Sequence, residues 1–115
     1  MPEVLHRGLT AERWNQFPLE RRLLMIGSEF ARAIQLASEN DGRADVQRCY
    51  HRARELLVWT AQGVAAGEVV AARLAEAIRV IDETNFELWS TARLIEQSRE
   101  LAVIVSETAA KDHAA

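Results

Sequence analysis

Apolar residues recur at intervals of three and four along four stretches of the chain. In the first stretch they run from Leu19 through Ile26 to Ala37, and in the second from Val46 to Leu56. Spacing of this kind places the apolar side chains on one face of a helix. Because each apolar face has to be covered by another element, the pattern predicts an all-α, up-down-up-down antiparallel four-helix bundle.

Turn and capping signals set the limits of the predicted helices. A short N-terminal helix or tail is expected before the bundle, with Thr10 as the cap of that helix. Asn40-Asp41-Gly42 predicts the first turn. Thr84 followed by Glu87 has the pattern of a capping box that begins the last helix. The long helices are predicted at residues 18–39, 44–61, 68–83 and 86–108 of one domain spanning 1–115. Because glycine and proline are absent from the third connection, one long bent helix there is an alternative.

Composition narrows the class of protein. The 115 residues include one cysteine, so an intrachain disulfide is impossible, and no stretch approaches the roughly 20 apolar residues that cross a bilayer. The first nine residues lack the apolar run of a secretory signal. We therefore expect a soluble, cytoplasmic protein without membrane association.

Charge is distributed unevenly along the chain, whose net charge is -3. Residues 1–57 have nine arginines against eight acidic residues, which is a net +1. Residues 58–115 have five basic and nine acidic residues, which is a net -4. The overall negative charge disfavours non-specific binding to nucleic acid, and any surface for a polyanion is expected on the first half.

Apolar residues outside the core stripes predict a second buried surface. Trp59, Val80, Trp89 and Ile104 fall on the flanks or outer faces of their predicted helices. Because tryptophan is enriched in protein interfaces, we interpret these four residues as an interface for self-association, with a dimer as the expected oligomer. A different protein partner is an alternative, and so is a compact bundle that uses these residues in its own core.

Charged residues near the core stripes predict an ion pair. Arg99 falls within the apolar arc of the last helix, and Glu29 lies at the edge of the arc of the first long helix. These helices are neighbours in the predicted topology, so we expect a partly buried Glu29–Arg99 pair that fixes their alignment. The alternative is a small-ligand site for a carboxylate or phosphate, formed by Arg22, Glu29 and Arg99.

Gly27 lies inside the first long helix, four residues before Ala31. A glycine in a helix interior costs about 1 kcal/mol relative to alanine. A close crossing by a neighbouring helix would account for this glycine, and the alternative is that it is merely tolerated.

Recognisable motifs for catalysis, metal binding or nucleotide binding are absent from the sequence. His6 and His113 lie in the tails, and Cys49 lies on a core stripe, where a small buried hydrophobe is expected. No cysteine or histidine pair has metal-ligand spacing, and neither a Walker loop nor G-x-G-x-x-G occurs. We therefore expect no cofactor, and the sequence favours a protein that is not an enzyme.

One polar cluster supports an alternative function. Arg48, His51, Arg52 and Arg54 share much of the outer surface of the second long helix. Arginine side chains bind RNA phosphates, and histidine adds the capacity for acid–base chemistry. The cluster is therefore a candidate RNA-contact surface, and the alternative interpretation is an ordinary solvated helix face.

Three segments of the sequence resemble a known group of proteins. The segments are W-N at 14–15, I-G-S-E-x-x-R-A at 26–33 and R-A-x-E-L-L at 52–57. They resemble small uncharacterised prokaryotic four-helix-bundle proteins over roughly half of the chain. This resemblance implies a helical fold and carries no established activity.

At the level of fold, such bundles also resemble the HEPN domains of toxin–antitoxin and defence systems. They are similar as well to the small bundles that resemble the 23S rRNA intervening-sequence protein, a group that is usually basic, whereas this chain has a net charge of -3. The HEPN resemblance implies an RNA-directed function. HEPN ribonucleases place a histidine four to six residues after an arginine, late in the bundle. Arg93 and Arg99 occupy that region here without a histidine at that spacing, so the resemblance does not extend to an active site.

Overall fold

The computed structural model describes residues 8–39, 42–63 and 68–114. Its helices are α1 (Ala11–Trp14), α2 (Leu19–Ser38), α3 (Arg43–Gly63), α4 (Glu68–Asp82) and α5 (Thr91–Ala114). Strands are absent from these ranges, so the predicted all-α class is confirmed. Residues 83–90 separate α4 from α5, and the alternative of one long bent helix is therefore wrong.

The four long helices pack in a ring, in which α2 and α4 each lie between α3 and α5. Arg73, near the start of α4, binds Glu107 of α5. The carbonyl of Val80, near the end of α4, accepts a hydrogen bond from Gln97, earlier in α5. This reversed order is that of antiparallel neighbours, so the packing fits the predicted up-down-up-down arrangement.

The core is centred on Tyr50 of α3. The rings of Phe30 and Phe86 meet the Tyr50 ring edge-on, with centroid distances of 5.7 and 5.1 Å. The Tyr50 hydroxyl lies 2.7 Å from that of Ser98, which donates to the carbonyl of Leu94. Because Ser98 uses its own proton there, Tyr50 is the donor in the pair. Burial raises the pKa of Tyr50 to about 12.

Helix α1 is attached to α3 through a buried tryptophan. The Thr10 hydroxyl accepts a hydrogen bond from the amide of Arg13, as the sequence predicts for a helix cap. Trp14 is fully buried, and its Nε1 donates to the hydroxyl of Thr60 at 2.9 Å. Thr60 in turn donates to the carbonyl of Leu56, so the buried polar atoms of this contact are satisfied.

Asn15 follows α1 and joins it to two other elements. Its Nδ2 donates to the carbonyls of Ala11 at 2.9 Å and Trp59 at 3.1 Å. Its Oδ1 accepts a hydrogen bond of 2.6 Å from Nη1 of Arg22 in α2. A methyl group added at Gly63 would overlap the Asn15 amide. We call these groups the Asn15 cluster.

Helix α5 begins at Thr91 rather than at the predicted residue 86. Asn85, not Thr84, forms the cap of a separate turn, because its side-chain oxygen accepts a hydrogen bond from the amide of Glu87. The Thr84 hydroxyl instead donates to the last turn of α4. Ser90 then caps α5, because its hydroxyl accepts a hydrogen bond from the amide of Arg93, three residues further along. The predicted capping box at residues 84–87 is therefore wrong.

Some predictions fall on residues that the structure does not describe. Asn40, Asp41 and His6 are among them, and the side chain of His113 is another. Within residues 8–39, 42–63 and 68–114, no helix has both the length and the apolar character needed to cross a membrane.

Candidate interaction surface

Two of the four residues predicted to form an interface lie in the core. Val80 is 4% exposed and Ile104 is 7% exposed, and both pack within the main apolar cluster. The reason is geometric, because each long helix contacts two neighbours and therefore buries a wider arc than its central stripe. The prediction that Val80 and Ile104 form an interface is wrong.

The two tryptophans of that predicted interface are half-buried and far apart. Trp59 lies near the end of α3, where its carbonyl is part of the Asn15 cluster. The carbonyl of Trp89 accepts a hydrogen bond from Arg43, the first residue of α3, and the guanidinium of Arg93 stacks on its ring at 3.9 Å. Sixteen residues of helix separate Arg43 from Trp59, or about 24 Å. The two tryptophans therefore do not share one patch.

The predicted ion pair between Glu29 and Arg99 is also wrong. Glu29 faces α3 rather than α5, and its carboxylate accepts a hydrogen bond of 2.6 Å from Nε of Arg52. The two side chains are only 15% and 23% exposed. Arg99 is exposed on α5 and has no ion pair among the described residues. The ion pair that Glu29 does form therefore joins α2 to α3 and not α2 to α5.

Cys49 lies beside this ion pair and is fully buried. Nη2 of Arg52 is 3.4 Å from its sulfur. Burial raises the pKa of the Cys49 thiol, and the charge of Glu29 raises it further. The thiol is therefore held in its protonated, unreactive form, as expected for a small buried hydrophobe.

The candidate RNA contacts on α3 do not form one surface. Arg52 faces α2 and is bonded to the carboxylate described above. Arg54 faces the other side and makes two hydrogen bonds to Asp82 of α4, at 2.6 and 3.0 Å. Of the set, only Arg48 and His51 are exposed, whereas Arg52 and Arg54 are half-buried. Two of the three arginines are thus engaged by carboxylates of the same chain, which lowers their capacity to bind phosphates.

The alternative small-ligand site is not assembled either. Arg22 is 7% exposed, and its guanidinium donates to the carbonyl of Phe17 and to Asn15. Glu29 is seven residues further along α2, about 10 Å away along the helix axis. Arg99 is exposed on another helix, so the three side chains do not converge.

A polar cavity of about 770 Å³ lies where the start of α3 meets residues 83–90. Asp82, Glu83 and Glu87 line it, together with Arg43. The Arg43 guanidinium is turned toward the protein, because it donates to backbone carbonyls of the connection. Among the described residues, no group of three potential ligands is suited to hold a metal ion.

An apolar groove of about 300 Å³ runs along the outside of the contact between α2 and α5. Apart from leucines and a valine, its walls are small side chains, and no charged residue lines it. We define the α2–α5 groove by Leu24, Gly27, Ser28, Ala31, Ala102 and Ser106. Leu24 stands at its edge with 67% of its surface exposed.

Gly27 forms part of the floor of the α2–α5 groove. A Cβ added there would meet only the Cγ1 of Val105, at 3.9 Å, which is an ordinary van der Waals distance. The contact between α2 and α5 therefore does not require a glycine, contrary to the expectation of a close crossing. Ala102 and Ser106 repeat the small-residue spacing of Gly27 and Ala31 on α5. This repeated spacing of small residues is the feature of the sequence from which the groove could have been predicted.

Comparisons with known proteins give no family for this chain. No protein-family model matches it, and no curated protein or solved structure does so either. The resemblances described for the sequence therefore stay predictions. Inferences about function rest on the arrangement of the residues themselves.

Proposed function

We propose that this chain is an antiparallel four-helix-bundle module that is not an enzyme and that self-associates. The observation that carries the proposal is the α2–α5 groove, which is apolar, uncharged and open to solvent. Leu24 at its edge adds an apolar side chain that is 67% exposed among the described residues. Contiguous exposed apolar surface of this kind is typical of interaction sites.

The placement of the reactive side chains supports a function without catalysis. Cys49 is buried, with its pKa raised by that burial, which is the wrong direction for a nucleophile. Tyr50 is likewise buried and hydrogen-bonded to Ser98. Arg52 and Arg54 of the candidate RNA-contact surface are bonded to the carboxylates of Glu29 and Asp82. These groups stabilise the fold instead of converging on a substrate.

An RNA-directed module is the second candidate, and exposed Arg48 and His51 on α3 are the observation in its favour. Few phosphate contacts are available there, so the affinity would be low and strongly salt-dependent. Arg48→Glu should then abolish retention of RNA, while Arg99→Glu on α5 serves as the matched control.

Size-exclusion chromatography with light scattering tests both candidates in one run, with absorbance recorded at 260 and 280 nm. We expect a mass of twice 12.9 kDa at high loading and a protein-like spectrum. A mass of 12.9 kDa at every loading concentration would contradict self-association. A peak with excess absorbance at 260 nm would favour the RNA-directed module.

A further inference from the structure

We infer that residues 8–17 act as a strap, which opens from the end of α3 while the four long helices stay folded. We call this segment the α1 strap, and we define its seat by Thr60, the carbonyl of Trp59 and the guanidinium of Arg22. In the closed state Trp14 and Asn15 occupy the seat. Access to this end of α3 is therefore conditional on local opening, a property separate from the proposed self-association.

The α1 strap has too little structure to fold alone. Its helix has four residues, whereas isolated helices shorter than about 12–15 residues are marginal in water. Its internal contacts include the Thr10 cap and the edge-on contact between the rings of Trp14 and Phe17. The order of the segment therefore depends on its attachment to α3, against which α1 packs.

The four long helices close their ring without the strap, because α2 and α4 each lie between α3 and α5. Tyr50, the centre of the core, is ten residues before Thr60, about 15 Å away along α3. Phe30 and Phe86, which pack on Tyr50, belong to α2 and to the 83–90 connection. Departure of the strap therefore leaves this aromatic centre intact.

Pro18 separates the strap from the bundle. Its φ of -55° and ψ of 147° are not helical, and it directly precedes the first residue of α2. Proline disfavours helical backbone at the residue before it, so a continuous helix from Phe17 into α2 is disfavoured. The carbonyl of Pro18 accepts a hydrogen bond from the amide of Arg22, which completes the first turn of α2 on the bundle side. The hinge of the strap therefore lies between Phe17 and Pro18.

The polar groups of the seat are satisfied in the open state as well. The Thr60 hydroxyl donates to the carbonyl of Leu56 within α3, and this bond does not involve the strap. Arg22 is 7% exposed and donates to Phe17 and Asn15 of the strap. Water replaces these two acceptors on opening, and the guanidinium regains the hydration that a buried charge loses. The main loss on opening is the burial of the Trp14 indole.

Thiol labelling of the full chain tests the inference with a matched pair of variants. Thr60→Cys puts a thiol into the seat, and Ser98→Cys puts one into the core between α3 and α5. The two positions match, because each hydroxyl is fully buried, donates to the carbonyl four residues earlier and is bonded to an aromatic side chain of another element. Cys49 is fully buried as well, so it reports global unfolding in both variants.

With excess Ellman's reagent, we expect the thiol introduced at position 60 to react at least tenfold faster than Cys49. The thiol introduced at position 98 should react at the rate of Cys49. Equal rates at position 60 and at Cys49 would overturn the inference, because the seat would then open only with the whole fold. Fast reaction at both introduced positions would overturn it too, because the opening would not be confined to the strap. Circular dichroism checks that both variants fold.

Hydrogen exchange of the wild-type chain provides a second readout that needs no substitution. The amides of Trp14 and Asn15 are bonded to carbonyls of the turn before them. We expect both to exchange at least tenfold faster than the amide of Tyr50 and to respond little to low urea concentrations, because local opening exposes little surface. Exchange of the two strap amides at the rate of Tyr50, and with the same urea dependence, would overturn the inference.

Discussion

Gly63→Ala is a small change that should loosen the attachment of α1 to the bundle. The new methyl group would occupy the position of the Asn15 amide. That amide cannot move aside without loss, because it is bonded to the carbonyls of Ala11 and Trp59 and to the guanidinium of Arg22. The substitution therefore breaks the Asn15 cluster at its centre.

The magnitude follows from the contacts that are lost. Two neutral hydrogen bonds contribute about 1 kcal/mol each, and the bond to the Arg22 guanidinium contributes about 1.5–3 kcal/mol. The helix preference of alanine over glycine returns at most about 1 kcal/mol. Asn15 is half-buried, so water replaces part of the loss. We expect a net cost of about 2–3 kcal/mol, which for a domain of this size lowers Tm by about 10 °C.

Urea unfolding followed by tryptophan fluorescence measures this cost, because Trp14 and Trp59 flank the cluster. Gly27→Ala is the control, since its methyl group has room. The double variant Asn15→Ala/Gly63→Ala is decisive, because the second change should cost little once the amide is gone. A Gly63→Ala protein as stable as the wild type would refute the reasoning, and so would full additivity in the double variant.

Three further predictions concern buried and paired side chains. Tyr50 is the one tyrosine of the chain, so absorbance at 295 nm should show no ionisation of the native protein near pH 10 and a transition near pH 12; a midpoint near 10 with the fold intact would contradict its burial. The hydrogen bond from Arg54 lowers the pKa of Asp82, so the stability from this pair, present above the ordinary aspartate pKa, should be lost as pH falls through the lowered value; Asp82→Asn should flatten Tm against pH below 4, and an unchanged slope would argue against the pair. Glu29→Ala leaves Arg52 half-buried without its carboxylate and should cost about 1–3 kcal/mol in urea unfolding; a loss below about 0.5 kcal/mol, typical of a surface change, would count against the pair.

The helices were predictable from the sequence because their apolar spacing is strong. Helix type follows from side-chain period alone, so the stripes around Leu23 and Leu56 predict α2 and α3 well. The start of α5 was not predictable in this way. Thr84, Asn85 and Ser90 are all suitable caps. The contacts that hold residues 83–90 as a separate connection are tertiary: Phe86 packs against Tyr50, and Arg43 donates to two backbone carbonyls of the connection.

Pairing between helices was harder to predict than the helices. Glu29 lies at an edge of its helix that either neighbour can cover, and the sequence has arginines suitable for it on both. Selection of Arg52 over Arg99 depends on helix rotation, which periodicity defines only to within tens of degrees. Val80 and Ile104 were placed outside the core because the buried arc of each helix is wider than its central stripe, and an uncertain rotation leaves the edges of that arc undefined. Rotation errors of this size exchange buried and exposed flank positions, so interface predictions are the first to fail.

Three glycines of α2, α3 and the turn between them meet three different surroundings. At Gly42 an added Cβ would lie 2.6 Å from the carbonyl oxygen of Leu36, and at Gly63 it would overlap the Asn15 side chain. At Gly27 it would make only an ordinary van der Waals contact of 3.9 Å with Val105. The first two glycines are therefore required by the fold of one chain. At Gly27 the fold gains nothing from the missing side chain, although the helix loses stability. Gly27→Ala should therefore leave the free energy of unfolding unchanged or raise it, whereas Gly63→Ala lowers it. This contrast separates the glycines that the fold of one chain requires from one that it does not.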